Sequence, residues 1–191
     1  MISDFPVIVD ACVRVQAAVR DTLLRLFERR LFLARWTDEI IEETVRTLQD
    51  KLGRTPEQTN HLVDELRTFF PDAWVEQGYR KLIPALIPAM TNQEKDRHVL
   101  AAAVKTPCEV IVTHNLKDFP EKAISPFGIS VKHPDEFLID LYHIDGEIVI
   151  HELHKQGAEL RKPRTITEVL SSLEICRCTQ FGKLIREKLG L

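Results

Sequence analysis

No apolar run in this 191-residue chain approaches the roughly 20 residues that a membrane-spanning helix needs. The opening MISDFPVIVDAC carries no basic segment ahead of its apolar one, so it reads as a strand and not as a signal peptide, and a cytoplasmic location is expected. Cysteine is scarce. Cys12 and Cys108 lie in or beside apolar segments, and Cys176 and Cys178 make a C-x-C on what reads as a helix. No second close pair completes a four-ligand zinc set, so buried free thiols are expected. His151 and His154 are spaced i, i+3 with His143 nearby, but no carboxylate partners them, and they read as solvated surface. A P-loop, a G-x-G-x-x-G turn and a nucleophile elbow are all missing, as are repeats and low-complexity segments. The net charge of −3 argues against a general polyanion binder. Charge is nevertheless uneven: residues 1–154 sum to −7 and residues 155–191 to +4. That basic tail suits either a surface that steers nucleic acid or the exposed faces of a helical cap.

What is present is an alternation of strands and helices. Phe5 to Val9 is a short apolar run ending at Asp10, as in a strand buried on both faces. Val15, Val19, Leu23, Leu26 and Phe27 recur at helical spacing over 14–30, and Leu31–Ala34 fits a second strand. Thr37 with Asp38 and Glu39 starts a helix that should stop near Gly53. Thr55, Pro56 and Gln58 form a capping-box start for a helix ending at Pro71. Pro84 and Pro88 exclude one regular helix over 72–90. Thr91 and Glu94 read as a second capping box for a helix reaching Lys105; Glu109–Thr113 and Ile129–Val131 read as strands. After Pro134 the pattern turns helical, over 134–143, 146–158, 165–177 and 180–189. The expectation is an α/β fold with three α/β/α layers and a mostly parallel sheet over residues 1–133, followed by a helical extension over 134–191.

Four separate segments each carry an acid. Asp10 follows a strand directly, at the carboxyl edge where open α/β sheets bind ligands, although Asp is also a common N-cap. Asp96 falls in the first turn of its helix, where an acid also satisfies the helix dipole. Asp118 lies in a loop just after a strand, where a turn-forming role is the alternative, and Asn115 in that loop could orient a ligand or close an Asx-turn. Glu42 and Glu43 are adjacent and point about 100° apart, so only one faces a common crevice. Carboxylates gathered this way repel one another unless a divalent cation holds them.

The segments VIVDACV, EIIEETVRTL, KDRHVLAAAV and VTHNLKDF resemble the four signature segments of the PIN-domain nucleases, most closely the VapC-like toxins of type II toxin–antitoxin pairs. The resemblance covers residues 1–133; 134–191 resemble a helical extension found in a subset of the family. By matching position it implies Asp10, Glu43, Asp96 and Asp118 as metal-binding, catalytic acids for Mg²⁺ or Mn²⁺. Register with Leu48 favours Glu43 over Glu42, and Thr113 and Asn115 match positions that support the acids from behind. It implies an endoribonuclease acting on RNA, tRNA loops included, a cognate antitoxin as partner, and a homodimer as an assembly known in the family. Arg161, Lys162 and Arg164 are candidates for phosphate contact, whereas Trp36, Trp74 and Phe119 read as core. Two other readings stay open: a DNA flap-type nuclease with the same metal chemistry, and a non-catalytic scaffold whose acidic crevice receives an antitoxin's basic side chain.

Overall fold

A computed structural model describes residues 5–86 and 92–191. Strands β1 (Pro6–Val9), β2 (Leu33–Arg35), β3 (Val110–Val112) and β4 (Ser130–Lys132) form one sheet, all parallel, in the order β2–β1–β3–β4. Val7, Ile8, Val9, Ile111 and Val112 are buried, as expected of central strands covered on both faces. Each such side chain contributes about 1.5–3 kcal/mol by leaving water. The helices are α1 (Ala11–Arg14), α2 (Ala17–Glu28), α3 (Asp38–Leu52), α4 (Pro56–Phe69), α5 (Ile83–Leu86), α6 (Arg97–Lys105), α7 (Glu121–Ile124), α8 (Pro134–Ile144), α9 (Gly146–Ala158), α10 (Ile166–Ile175) and α11 (Thr179–Leu189). Together with the sheet they make the three α/β/α layers and the added C-terminal helices.

Chain direction decides where a ligand can bind. From β1 the chain moves outward to β2, then returns past β1 to β3 and on to β4. The order therefore reverses between β1 and β3, and in open α/β sheets the crevice beyond the carboxyl ends at that point is the ligand site. Asp10 stands there: its N–H bonds the Val112 carbonyl at 3.0 Å, directly after the Val9–Val112 register pair.

Several starts and stops are local chemistry. Thr37 accepts a hydrogen bond from the Ile40 N–H, and Gly53 ends α3 in the left-handed region at φ 61°. Thr55–Gln58 and Thr165–Glu168 are complete capping boxes, each contributing about 1 kcal/mol. Other expectations change. The helix expected over 14–30 is the shorter α2, and a separate turn, α1, precedes it, capped by Asp10 and parted from α2 by the extended Gln16 (φ −81°, ψ 103°). Pro88 and Thr91 lie outside the described residues. Glu94–Asp96 is a 3₁₀ turn, so Asp96 is the N-cap of α6 and not part of its first turn. Cys176 and Cys178 flank the turn between α10 and α11, where Arg177 has φ 66°, so the C-x-C is not helical; all four thiols are free.

The C-terminal helices join the same apolar core as the sheet: Phe137, Leu141, Leu153, Leu170 and Phe181 are continuous with Val7, Leu26 and Phe32. Phe137 meets Phe5 and Phe32 edge-on, at centroid distances of 6.4 and 5.1 Å. Polar contacts reinforce the seam. Thr22 donates to Gln156 Oε1 at 2.7 Å, Gln156 donates to the Ala18 carbonyl at 3.2 Å, and Arg29 Nε meets the buried Glu152 at 2.5 Å. Trp36 is fully buried, with Phe27, Phe70 and Trp74 around it, and Phe119 is also buried.

Candidate active site

Asp10 is held from three sides. Its Oδ1 accepts the Ala11 N–H at 2.7 Å, and its Oδ2 accepts the Thr113 hydroxyl at 2.7 Å and the Cys12 thiol at 3.2 Å. Thr113 follows β3, so the neighbouring strand orients the acid at the end of β1. The Asn115 N–H donates to Thr113 Oγ1 at 3.1 Å and the His114 N–H to Cys12 Sγ at 3.3 Å, which ties the loop after β3 to the start of α1. Burial first, and then the Asp10 charge, push the Cys12 thiol up to about 12. It therefore remains a protonated donor to Asp10, not a nucleophile. The Asn115 side chain is exposed and makes no capping hydrogen bond, so its contribution here is the backbone N–H.

Asp96 and Asp118 approach this carboxylate from α6 and from the 3₁₀ turn Leu116–Asp118. Burial raises the Asp96 pKa, Lys95 opposes the rise, and repulsion from Asp118 and Asp10 adds to it. The like-charge effect expected of gathered acids is thus present, but burial is the larger cause. Asp96 Oδ2 is buried without a hydrogen-bond partner. Its nearest cation is Lys95, whose Nζ lies 3.5 Å from Asp96 Oδ2 and 3.6 Å from Asp118 Oδ2.

Glu43 reaches the cluster from α3 through a residue that sequence reasoning missed. His98 Nε2 lies 3.5 Å from Glu43 Oε1. The bond from His98 lowers the Glu43 pKa against the opposing effect of burial, and the charges of His98, Arg46 and Lys95 add to the lowering. Burial works against charge on His98, but Glu43, with Glu39 and Asp10 behind it, outweighs burial and raises the His98 pKa. Glu42 is exposed, on a surface depression with Asp38, Arg46 and Arg67. His98 and Lys95 flank Asp96 in sequence, and that adjacency was the signal available for both.

Arg161, Lys162 and Arg164 are in a different place. They sit in the turn between α9 and α10, around a groove of about 620 Å³ shared with Arg20, Leu24 and Leu62 that contains none of the four acids.

Chemically, the cluster is a set of hard oxygen donors, one of them buried and unsatisfied, which suits a hard divalent cation. As the side chains stand, no group of three or more histidine, cysteine, aspartate or glutamate residues among the described residues is close enough to hold a metal ion. The Lys95 ammonium supplies the positive charge between Asp96 and Asp118.

Residues 134–187 match the family described as the VapC50 C-terminal domain. A curated relative from Mycobacterium tuberculosis, named "Putative ribonuclease VapC50", is 62% identical over 55 residues, which is 29% of this chain and 32% of that protein. The match spans about a third of that relative's length. No solved structure matches. Residues 3–117, more than half of the chain, match the family described as the PIN domain, a stretch that includes Asp10, Glu43 and Asp96. This chain belongs to the PIN-domain family.

Proposed function

We propose that this protein is a Mg²⁺- or Mn²⁺-dependent endoribonuclease, the toxin of a type II toxin–antitoxin pair, acting in the cytoplasm. Residues 1–133 form the nuclease unit in this reading, and 134–191 a helical extension packed on its flank. The observation that carries it is the common electrostatic field of Asp10, Asp96 and Asp118, three acids from three segments, with Asp96 pushed up by burial and by the other two. The name of the mycobacterial relative supports ribonuclease over other phosphodiester chemistry.

Asp10 and Asp96 would hold the metal, with Asp118 and Glu43 completing the set directly or through water. Such an ion supplies Lewis-acid polarisation of a phosphate oxygen and a lowered pKa for a bound water. The protein's own contribution is positioning. Thr113 and Cys12 orient Asp10 by donating to it, and His98 keeps Glu43 ionised. Lys95, whose side chain is 62% exposed, can swing clear without disturbing the core. One of the outer acids then accepts the proton of the attacking water.

Asp10→Ala should abolish RNA cleavage while leaving the circular dichroism spectrum unchanged; full activity in that variant sinks the assignment. Side-by-side digestion of RNA and DNA separates a ribonuclease from a flap-type DNA nuclease. Mn²⁺ calorimetry separates either from a scaffold, which need not bind metal. Co-purification with a small DNA-binding protein encoded alongside tests the toxin role.

A further inference from the structure

Arg177 lies in the turn between α10 and α11 with its backbone left-handed, at φ 66°. Its N–H bonds the Glu174 carbonyl at 2.9 Å, and the Cys178 N–H bonds the Leu173 carbonyl at 3.0 Å. This double closure commonly ends a helix on glycine. A side chain at that position strains the backbone, so glycine would serve the turn better. The guanidinium contributes no contact to the fold: it is exposed, and among the described residues it has no ion pair or hydrogen bond. Arg186, on the next helix, is by contrast bound to Glu174 at 3.0 Å.

Packing carries this turn to the carboxyl edge of the sheet. Asp135, in the first turn of α8, accepts the Gln180 and Phe181 N–H groups at 3.1 and 2.8 Å, which holds the start of α11 against the start of α8. His133 follows β4 and bonds His114 at 2.9 Å. His114 adjoins Thr113, whose hydroxyl donates to Asp10 at 2.7 Å. Burial is the first cause that lowers the pKa of both rings, and the Arg177 charge adds to the lowering of both, so the guanidinium lies within electrostatic reach of each. The edge thus runs from Asp10 through two imidazoles to an unpaired cation. The loop after Thr113 adds Asn115, Leu116 and Lys117 on the same side, all exposed, and Lys117 too has no ion pair among the described residues.

A strand cut at the acids extends beyond them, and its further phosphates need cations of their own. An exposed guanidinium meets a phosphate without first being stripped from a protein partner. We propose that Arg177 binds an RNA backbone phosphate flanking the cleavage point, so that the C-terminal extension supplies part of the substrate path of the N-terminal unit. The proposal rests on the nuclease reading above.

The test is fluorescence anisotropy of a labelled single-stranded RNA of mixed sequence on the full chain, in Mg²⁺, with Asp10→Asn added to keep the RNA uncut. Arg177→Gly suits the left-handed turn and should melt no lower than this parent. It should nevertheless bind RNA about fivefold more weakly, with the slope of log Kd against log salt reduced by about 0.7. Arg177→Lys keeps the charge and should stay within about twofold of the parent. Lys188→Gln, an equal loss of charge at the far end of α11, should change neither affinity nor slope. Equal affinity in Arg177→Gly and the parent overturns the proposal, as does an equal loss in Lys188→Gln. A parent chain that binds no RNA overturns the nuclease reading and this proposal with it. If Arg177→Gly does not fold or melts lower, Arg177→Gln is held to the same two comparisons.

Discussion

Lowering the pH should loosen this protein through one chain of hydrogen bonds. His133 caps α8, its Nδ1 accepting the Asp135 N–H at 3.2 Å. With Nδ1 an acceptor, the neutral ring carries its proton on Nε2 and donates to His114 Nδ1 at 2.9 Å. His114 then carries its proton on Nε2 and donates to Gln16 Oε1, also at 2.9 Å. The chain is consistent only with both rings neutral; a proton added to either sets two donors against each other. Burial first, then His133 and Arg177, lower the His114 pKa from 6.5 to about 4, and burial lowers His133 as well. Both folded values lie below the unfolded one, so the unfolded chain binds more protons between about pH 6.5 and 4. Stability is therefore fully present above 6.5 and is lost as pH falls towards 4. For His114 the full shift corresponds to about 3 kcal/mol, which partial exposure reduces to about 1–2 kcal/mol. Urea denaturation at pH 7 and pH 4.5 of wild type and His114→Gln isolates this contribution, since other titrations cancel in the difference. Wild type should lose about 1–2 kcal/mol more than the variant. Equal losses would refute the hydrogen-bond chain. The consequence reaches the acids, because His114 adjoins Thr113, which orients Asp10.

Three further outcomes follow from other contacts. Thr113→Val removes a hydroxyl donor from the buried Asp10 carboxylate and should cost about 1–3 kcal/mol in chemical denaturation. Lys95→Met removes a unit charge next to Asp96 and Asp118, and should tighten Mn²⁺ binding about tenfold by calorimetry, given a separation of roughly 6 Å in water-like dielectric; unchanged affinity in a protein that binds Mn²⁺ would mean that the ammonium does not compete. Gly157→Ala would place a Cβ 2.4 Å from the Arg164 carbonyl oxygen, so the α9–α10 turn must shift, at about 1–3 kcal/mol and a correspondingly lower melting temperature.

The candidate site was half legible. Asp10 and Asp118 could be placed because each follows a strand, and a strand's carboxyl end has one location in such a sheet. Asp96 could be named but not oriented, since nothing in EKDRHV reveals that Glu94–Asp96 is a 3₁₀ turn. Glu43 and Glu42 differ only in helix phase, and the crevice that the phase refers to exists only once α3 and α6 are packed. Lys95 and His98 were in view beside Asp96, but their roles depend on Asp118 and Glu43, which arrive from elsewhere in the chain. Arg14 shows the same limit: on an amphipathic pattern it reads as a surface residue, and packing buries it over Trp36.

The alternation of strands with helices, the caps at Thr37, Thr55 and Thr165 and the stop at Gly53 were legible in local sequence. Those features rest on interactions spanning three or four residues, which any local reading contains. What meets across the chain emerges with packing: Thr113 on Asp10, Lys95 between two acids, His133 on His114. Packing also decided that α11, which has no side-chain cap of its own, is capped by Asp135, which accepts the Gln180 and Phe181 N–H groups at 3.1 and 2.8 Å. The physical reason is that side-chain bonding has a reach of about 3 Å. Over that distance the partner of a charged group is set by backbone direction and core packing, which no segment carries alone.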